Sequence, residues 1–331
     1  MIVSRAPVRF SLGGGGSDLP SYCSQHGGFV VSAAVDKFVF VCVARRFYDT
    51  IRLAYSETET VASVDEIRHR IFRAALKGMG FTGGLELHSL ADVPANTGLG
   101  SSSSFTVALL NGLHAFRRES VPAEQLAREA CELEIGVLQE PIGKQDQYIA
   151  AYGGISAMTF HPDGRVDVER LDLRDEVIDE LESRLVIFYS GVERAASSVL
   201  VQQAGSIVEN RDAAIERMHR IKALGHETRR ILLAGELDAY GEMLHEHWTQ
   251  KRRLAASMSD GTIDEHYEAA RRAGALGGKL MGAGGGGFFM FYVRPAERRR
   301  VHEVLIARGL RPMRFRFDFD GARIMANFHR S

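Results

Sequence analysis

The sequence predicts a protein of mixed strand and helix divided between two domains. Three observations point there. A chain of 331 residues exceeds what one hydrophobic core usually organises, 45% of its residues are hydrophobic against 25% charged, and strand-like apolar runs alternate with helix-period stripes along its length.

Taken in order, Val3 to Leu12 alternates partly and runs into GGGGSD, a strand ending in a glycine turn. Phe29 to Phe47 is rich in Val, Phe and Ala without a helical stripe and reads as strand, bent or doubled. Ser63-Val-Asp-Glu66 forms a capping box before Ile67, Ile71 and Ala74, which predicts a helix stopping near Gly78. Leu85 to Leu90 is a short strand. Phe105, Ala108, Leu109, Gly112, Leu113 and Phe116 place one buried stripe on a helix entered through the serines of PANTGLGSSSS. Pro122 opens the next helix, with Leu126, Ala130, Leu133 and Val137 facing inward and Pro141 ending it; a short helix covers Gln145 to Tyr152. The HPDG turn at His161–Gly164 places the domain boundary near residue 165. Beyond it come a strand over Leu185–Ser190, a long helical stretch from about Ala195 to His247 and a helix near Ile263–Gly274. A glycine-rich segment with a strand, a helix over 295–308 and a strand over 312–319 complete the chain.

Composition narrows the function classes. The 41 basic and 42 acidic residues nearly cancel, so no global field draws nucleic acid or a membrane surface, and neither is expected as a partner. Cys23, Cys42 and Cys131 lie far apart without CxxC spacing, which argues against a disulfide framework or zinc site. No apolar run reaches the roughly 18 to 20 residues of a membrane span, and MIVSRAPVRF carries an arginine where a signal peptide needs its apolar core, so a cytoplasmic protein is expected. The HEH of His245–His247 puts its two rings on different helix faces, and no HExxH occurs; these histidines read as solvated or satisfied in the core.

Three glycine-rich segments carry the chemistry. PANTGLGSSSS, Pro94–Ser104, has the composition of a linker but opens a helix. Free N–H groups and the positive end of the dipole at such a start attract an anion, and glycine lets the backbone approach it. The serines can cap the helix, donate to phosphate or ligate Mg²⁺. The segment therefore reads as a phosphate cradle; a serine-capped helix after a flexible turn is the plainer alternative. The GK pairs at Gly143 and Gly278 lack the rest of a Walker A loop, and PANT replaces the strand that a Rossmann fingerprint requires. Glu134 shares the inward face of its helix with Leu126 and Ala130, so a cation must stand near it, whether Arg, Lys or a metal. Asp146 lies in GKQDQYIAAYGG beside Lys144, where it could accept or orient a hydroxyl proton, or simply cap a helix. GKLMGAGGGGFFMFY, ending at Tyr292, allows close approach to a ligand or a neighbouring domain.

Together, RAPVRFSLGGGGSD, PANTGLGSSSS and KLMGAGGGG resemble, in order and spacing, the three motifs of the GHMP small-molecule kinases across nearly the whole chain. The resemblance implies an α+β, two-domain GHMP kinase fold: a ribosomal S5 domain 2-like ATP-binding domain over 1–165 and a ferredoxin-like domain over 166–331. It implies ATP held at Asn96, Gly98, Leu99, Gly100, Ser101, Ser102 and Ser103, with Mg²⁺ on Ser102 and Glu134. Asp146 matches the catalytic aspartate and Arg9 the basic residue that offsets transferring charge. Asp18 matches an aspartate that binds sugar hydroxyls, with Gly15, Ser17, Gly143, Gly284 and Gly285 as further substrate positions. Galactokinases carry GEHTD where this chain has GGGSD, which argues against galactose. GGGGSDLPSY, GKQDQYIAAYGG and YSGVERAASSVL are instead similar to D-glycero-D-manno-heptose 7-phosphate kinases, which act on the C1 hydroxyl. A substrate that already bears phosphate needs a second anion site, for which Arg194 is the candidate and Lys144 and Lys279 the alternatives. The rival readings are a kinase for a fucose-, galactose- or N-acetylhexosamine-type sugar, a sugar and ATP sensor without turnover, and a decarboxylase-like enzyme on an isoprenoid acid.

Overall fold

The computed structural model describes residues 1–191, 211–252, 261–282 and 286–328, and among these the chain forms two sheets. The first half contributes β1 (Ile2–Gly13), α1 (Pro20–His26), β2 (Gly28–Arg45), β3 (Ile51–Ala54), β4 (Thr58–Val61), α2 (Arg70–Gly78), β5 (Leu85–Ala91), α3 (Ser101–Phe116), α4 (Ala123–Cys131) and α5 (Gln145–Tyr152). After these come β6 (Ile155–Phe160), β7 (Val166–Arg170), α6 (Asp175–Arg184), β8 (Leu185–Tyr189), α7 (Arg211–Ala234) and α8 (Leu237–Arg252). The last are α9 (Gly261–Ala273), β9 (Ala275–Leu280), β10 (Phe288–Val293), α10 (Pro295–Ala307), β11 (Arg311–Met313) and β12 (Arg323–Asn327).

The larger sheet runs β12-β1-β2-β5-β3-β4, with β6 on β2 and β7 on β6. The long run from Phe29 is one strand with different partners along one edge: Gly28–Ala33 pairs with β6 and Val39–Arg45 with β5, while β1 lies along the other. A register shift at Pro7/Val8 bends the pair at the changeover. Both β7 and β12 lie beyond residue 165, so a cut there leaves two strands of this sheet on the far side. The second sheet is antiparallel with order β11-β8-β10-β9, helices filling the connection between β8 and β9 and α10 that between β10 and β11. That is the split βαβ arrangement of ferredoxin-like domains. Helix α7 packs on β1 and β2 while α8 packs on β9 and β10, so this helix pair joins the two sheets.

Several elements depart from the sequence pattern. The capping box is not a helix start: Ser63 Oγ donates to Glu66 over a short 3₁₀ turn, and α2 begins only at Arg70, capped by the His69 ring. Helix α3 is buried almost all round rather than along one stripe, because strands cover one side and α2, α4 and α5 the other. After α4 the chain widens into a π-helical turn over Glu132–Val137, so Glu134 stays buried while Val137, expected inside, is 63% exposed. The strand expected over 312–319 stops at Met313, since Arg316 and Phe317 leave the second sheet to bond along Asp36 and Val35 of β2. The short strands β3, β4, β6, β7 and β12 and helices α1 and α6 had no clear periodic signal.

Two glycine-rich segments meet backbone to backbone. Gly98 and Gly282 both have positive φ, and a Cβ on Gly282 would lie 2.4 Å from the Gly98 Cα. Gly282→Ala is therefore expected to cost about 1–3 kcal/mol in thermal or denaturant melts. Gly78→Ala, at a helix end with open space around it, should be neutral or stabilising; equal losses at the two sites would contradict this packing.

Candidate active site

The cleft opens where α3 begins. Gly100, in the left-handed conformation at φ 75° and ψ 21°, turns the chain into the helix, and no side chain caps it. The serines are engaged elsewhere: Ser104 Oγ donates to the Pro7 carbonyl at 2.7 Å and Ser102 Oγ to Glu134 at 3.4 Å. The N–H groups of the first turn are thus left without a capping side chain at the mouth of the cleft, with the Asp146 carboxylate close to Gly100 and Glu134 beside Ser102. Asn96, Gly98, Gly100, Ser101, Ser102 and Ser103 all line it. Leu99 does not: its side chain is fully buried in the core and its carbonyl accepts from the Arg9 N–H at 3.0 Å.

Opposite stands an acidic pair. Asp146, in the first turn of α5, receives a two-pronged hydrogen bond from Arg9 of β1, Nε to Oδ1 at 2.7 Å and Nη2 to Oδ2 at 2.9 Å. Arg9 Nη1 donates to the Gly98 carbonyl, so one guanidinium ties β1, the cradle and α5 together. The sequence offered Lys144 as the neighbouring cation; its Nζ instead donates to the Gly164 carbonyl, and it lines a separate cavity with Arg128 and Tyr148. Asp18 is buried and accepts from the N–H groups of Gly16 and Gln145 and from Gln145 Nε2, at 3.1, 3.2 and 3.2 Å. Burial, with the charge of Asp146 adding to it, raises the Asp18 carboxyl above its ordinary range. Gly15 and Gly143 line the same cleft, whereas Ser17 is buried behind it, exchanging hydrogen bonds with the Phe29 backbone. Arg194, Gly284 and Gly285 lie outside the described residues.

Glu134 is 1% exposed, as its helix face predicted, but among the described residues no arginine or lysine pairs with it. Gln147 Nε2 donates to Oε2 at 2.5 Å and Ser102 approaches Oε1. Burial raises this carboxyl, with the Gln147 hydrogen bond working against the shift. Neutral donors, rather than a basic side chain, answer this carboxylate among the described residues. No group of three or more His, Cys, Asp or Glu side chains suited to a metal occurs among the described residues. Magnesium does not demand one, since it takes one or two protein oxygens beside phosphate oxygens and water. Ser102 with Glu134 at the phosphate cradle fits that donor set.

Sequence reasoning missed Lys251, which lines the cleft from α8 although it is largely buried. A signal existed: Tyr240, Leu244, His247 and Lys251 follow one another at helical spacing on the buried face, the same test that found Glu134. His247 is fully buried with neither ring nitrogen hydrogen-bonded among the described residues, contrary to the expectation of a solvated or satisfied histidine, while His245 bonds the Tyr267 hydroxyl at 2.7 Å.

Comparison with known proteins now bears on this geometry. The family model for the GHMP kinases N terminal domain matches residues 66–154, and that for the GHMP kinases C terminal matches 228–309, together more than half of the chain. The chain belongs to the GHMP kinase family. It is thus an ATP-dependent kinase with the two-domain fold of that family. A D-glycero-alpha-D-manno-heptose 7-phosphate kinase of Campylobacter jejuni is 27% identical, over 92% of this chain and 93% of its own. A bifunctional fucokinase/GDP-fucose pyrophosphorylase of Arabidopsis thaliana is also 27% identical, over 89% of this chain but 30% of its own. The crystal structure of a D-glycero-D-manno-heptose 1-phosphate kinase from Bacteroides thetaiotaomicron superposes on this GHMP kinase with a TM-score of 0.82 at 26% identity, covering 99% of this chain and 100% of that one.

A Cβ on Gly143 would lie 1.9 Å from Asp18 Oδ2. Gly143→Ala should displace Asp18 and lower kcat/KM by about 10²-fold, read from steady-state ADP release; near-normal turnover would show that Asp18's position is immaterial.

Proposed function

We propose that this GHMP kinase transfers the γ-phosphoryl of ATP to the anomeric C1 hydroxyl of D-glycero-D-manno-heptose 7-phosphate, giving the 1,7-bisphosphate. The observation that carries the reading is the pair of carboxylates, Asp18 and Asp146, in one cleft with the uncapped start of α3. A phosphate cradle beside two hydroxyl-binding acids suits phosphoryl transfer to a polyol. The heptose identity rests on the Campylobacter relative, similar over nearly its full length, and on GGGSD at Gly14–Asp18 in place of the galactokinase acid and histidine.

In this reading the triphosphate lies over the first turn of α3, held by backbone from Asn96 to Gly100 and by Ser101 and Ser103. Magnesium, when bound, would be held by Ser102 and Glu134 and would neutralise charge on the phosphate oxygens. Asp146, 21% exposed and fixed by Arg9, takes or orients the acceptor proton, and Arg9 offsets charge developing on the transferred group. Asp18 accepts from neighbouring sugar hydroxyls, with Gly15, Ser17 and Gly143 shaping its surroundings. Positioning and electrostatics supply most of the acceleration. Three free cysteines and the absence of a helix able to cross a membrane among the described residues agree with a cytoplasmic enzyme.

A second reading, a fucose-type acceptor, is favoured by the similarity of most of this chain to part of the Arabidopsis fucokinase. ADP release measured against heptose 7-phosphate, heptose 1-phosphate, unphosphorylated heptose, L-fucose, galactose and N-acetylhexosamines decides between them. A clear kcat/KM preference for heptose 7-phosphate is expected, and a preference for any other sugar overturns the assignment. Asp146→Asn should lower kcat by about 10²-fold or more with ATP affinity little changed; wild-type turnover would remove Asp146 from the chemistry.

A further inference from the structure

Two lysines in the cleft have no place in the mechanism above. Lys279 of β9 and Lys251 of α8 both line it, at 1% and 8% exposure. A buried ammonium without a counter-charge is costly. Lys251 Nζ donates to the Gly282 carbonyl, whereas Lys279 has neither an ion pair nor a hydrogen bond among the described residues. The titratable neighbours that act on Lys279 are themselves basic: Lys251 and Arg9 depress it further, and it in turn acts on the buried, unpaired ring of His247. Asp18 is the carboxylate that offsets Lys251, and Asp146 is committed to Arg9. Asp18, Glu134, Glu140 and Asp146 line the same cleft, yet none of them is among the groups acting on Lys279.

The two lysines lie where the two halves of the reaction meet. The Gly282 carbonyl held by Lys251 belongs to the backbone packed on Gly98, and Arg9 donates to the Gly98 carbonyl from the other side. The cluster therefore stands between the start of α3 and the two aspartates. We propose that Lys251 and Lys279 grip a phosphoryl dianion in this cleft, either the γ-phosphoryl of the nucleotide on its way to the acceptor or a phosphate ester the acceptor already carries. Lysine suits such a group as a compact point charge with three donors. Burial holds the Lys279 ammonium well below the ordinary lysine range and Lys251 down to about 8. A bound dianion reverses this, so binding takes up a proton from solvent.

The inference rests on the cleft being the transfer site and not on which sugar is used. Lys279→Met and Lys251→Met are titrated calorimetrically with AMP-PNP and with ADP, each with Mg²⁺, in buffers of different ionisation enthalpy. A parallel pair of assays compares heptose 7-phosphate with unphosphorylated heptose. If the nucleotide is the source, preference for triphosphate over diphosphate falls by about tenfold or more, and proton uptake on AMP-PNP binding is lost. If the acceptor is the source, its phosphorylated form loses its advantage by the same factor. Unchanged preferences in both pairs overturn the proposal, and the nucleotide arm, which contains no sugar, stands or falls apart from the heptose assignment. Melting temperature guards against a purely structural role. A lysine whose folded pKa is depressed weakens the fold below that pKa and ceases to do so above the ordinary lysine value. Lys279→Met should therefore raise the melting temperature at neutral pH, with the gain vanishing toward pH 10.5. A lowered melting temperature with equal losses for every ligand would instead assign these lysines to packing and overturn the proposal.

Discussion

The fork between Arg9 and Asp146 is the interaction on which the rest of the site depends. Arg9 is buried in the middle of β1, so its guanidinium can be satisfied only by groups brought to it, and those groups come from two segments distant in sequence. The guanidinium holds the Gly98 carbonyl, just ahead of α3, and the Asp146 carboxylate, in the first turn of α5. A lysine at this position could hold one of these but not both in a planar, two-pronged geometry. The spacing between the segment leading into α3 and the start of α5 is thus set by one rigid side chain rather than by loop stiffness.

Around that fork the protein places charges where water is scarce, each by a different local device. A π-helical turn follows α4 while keeping Glu134 inside, a glycine at 143 lets Asp18 lie against the approach to α5, and the buried face of α8 delivers Lys251. Among the described residues none of these groups forms a direct ion pair, although Asp18 acts on Lys251 from a distance. Their desolvation is a standing cost that bound phosphate and metal are suited to relieve, the same low dielectric making those later contacts strong.

Much of this was legible in the sequence, and the limits have physical reasons. The start of α3 could be read because glycines and serines stand immediately before an apolar helical run, and the burial of Glu134 because it shares a face with apolar residues. The length of β2 was readable, but its change of partner was not, since pairing is a long-range choice that local pattern does not record. Val137 was misplaced because a π turn shifts the helical phase without any residue type announcing it. Asp146 was paired with Lys144 because adjacency is visible in sequence, whereas a partner 137 residues away on another strand is not. Lys251 went unread for want of a motif, although its helical phase carried the information.

Strand β12 lies on the outer edge of β1, pairing Asn327 with Ile2 and Arg323 with Arg5. That edge of β1 is therefore completed by a strand far along the chain. Until β12 docks, that edge presents open backbone donors and acceptors beside an apolar face, the arrangement that invites pairing with a neighbouring chain. A chain whose β12 is displaced would therefore carry Arg9 on a strand with one edge open over Ile2–Arg5, a place for another chain to pair.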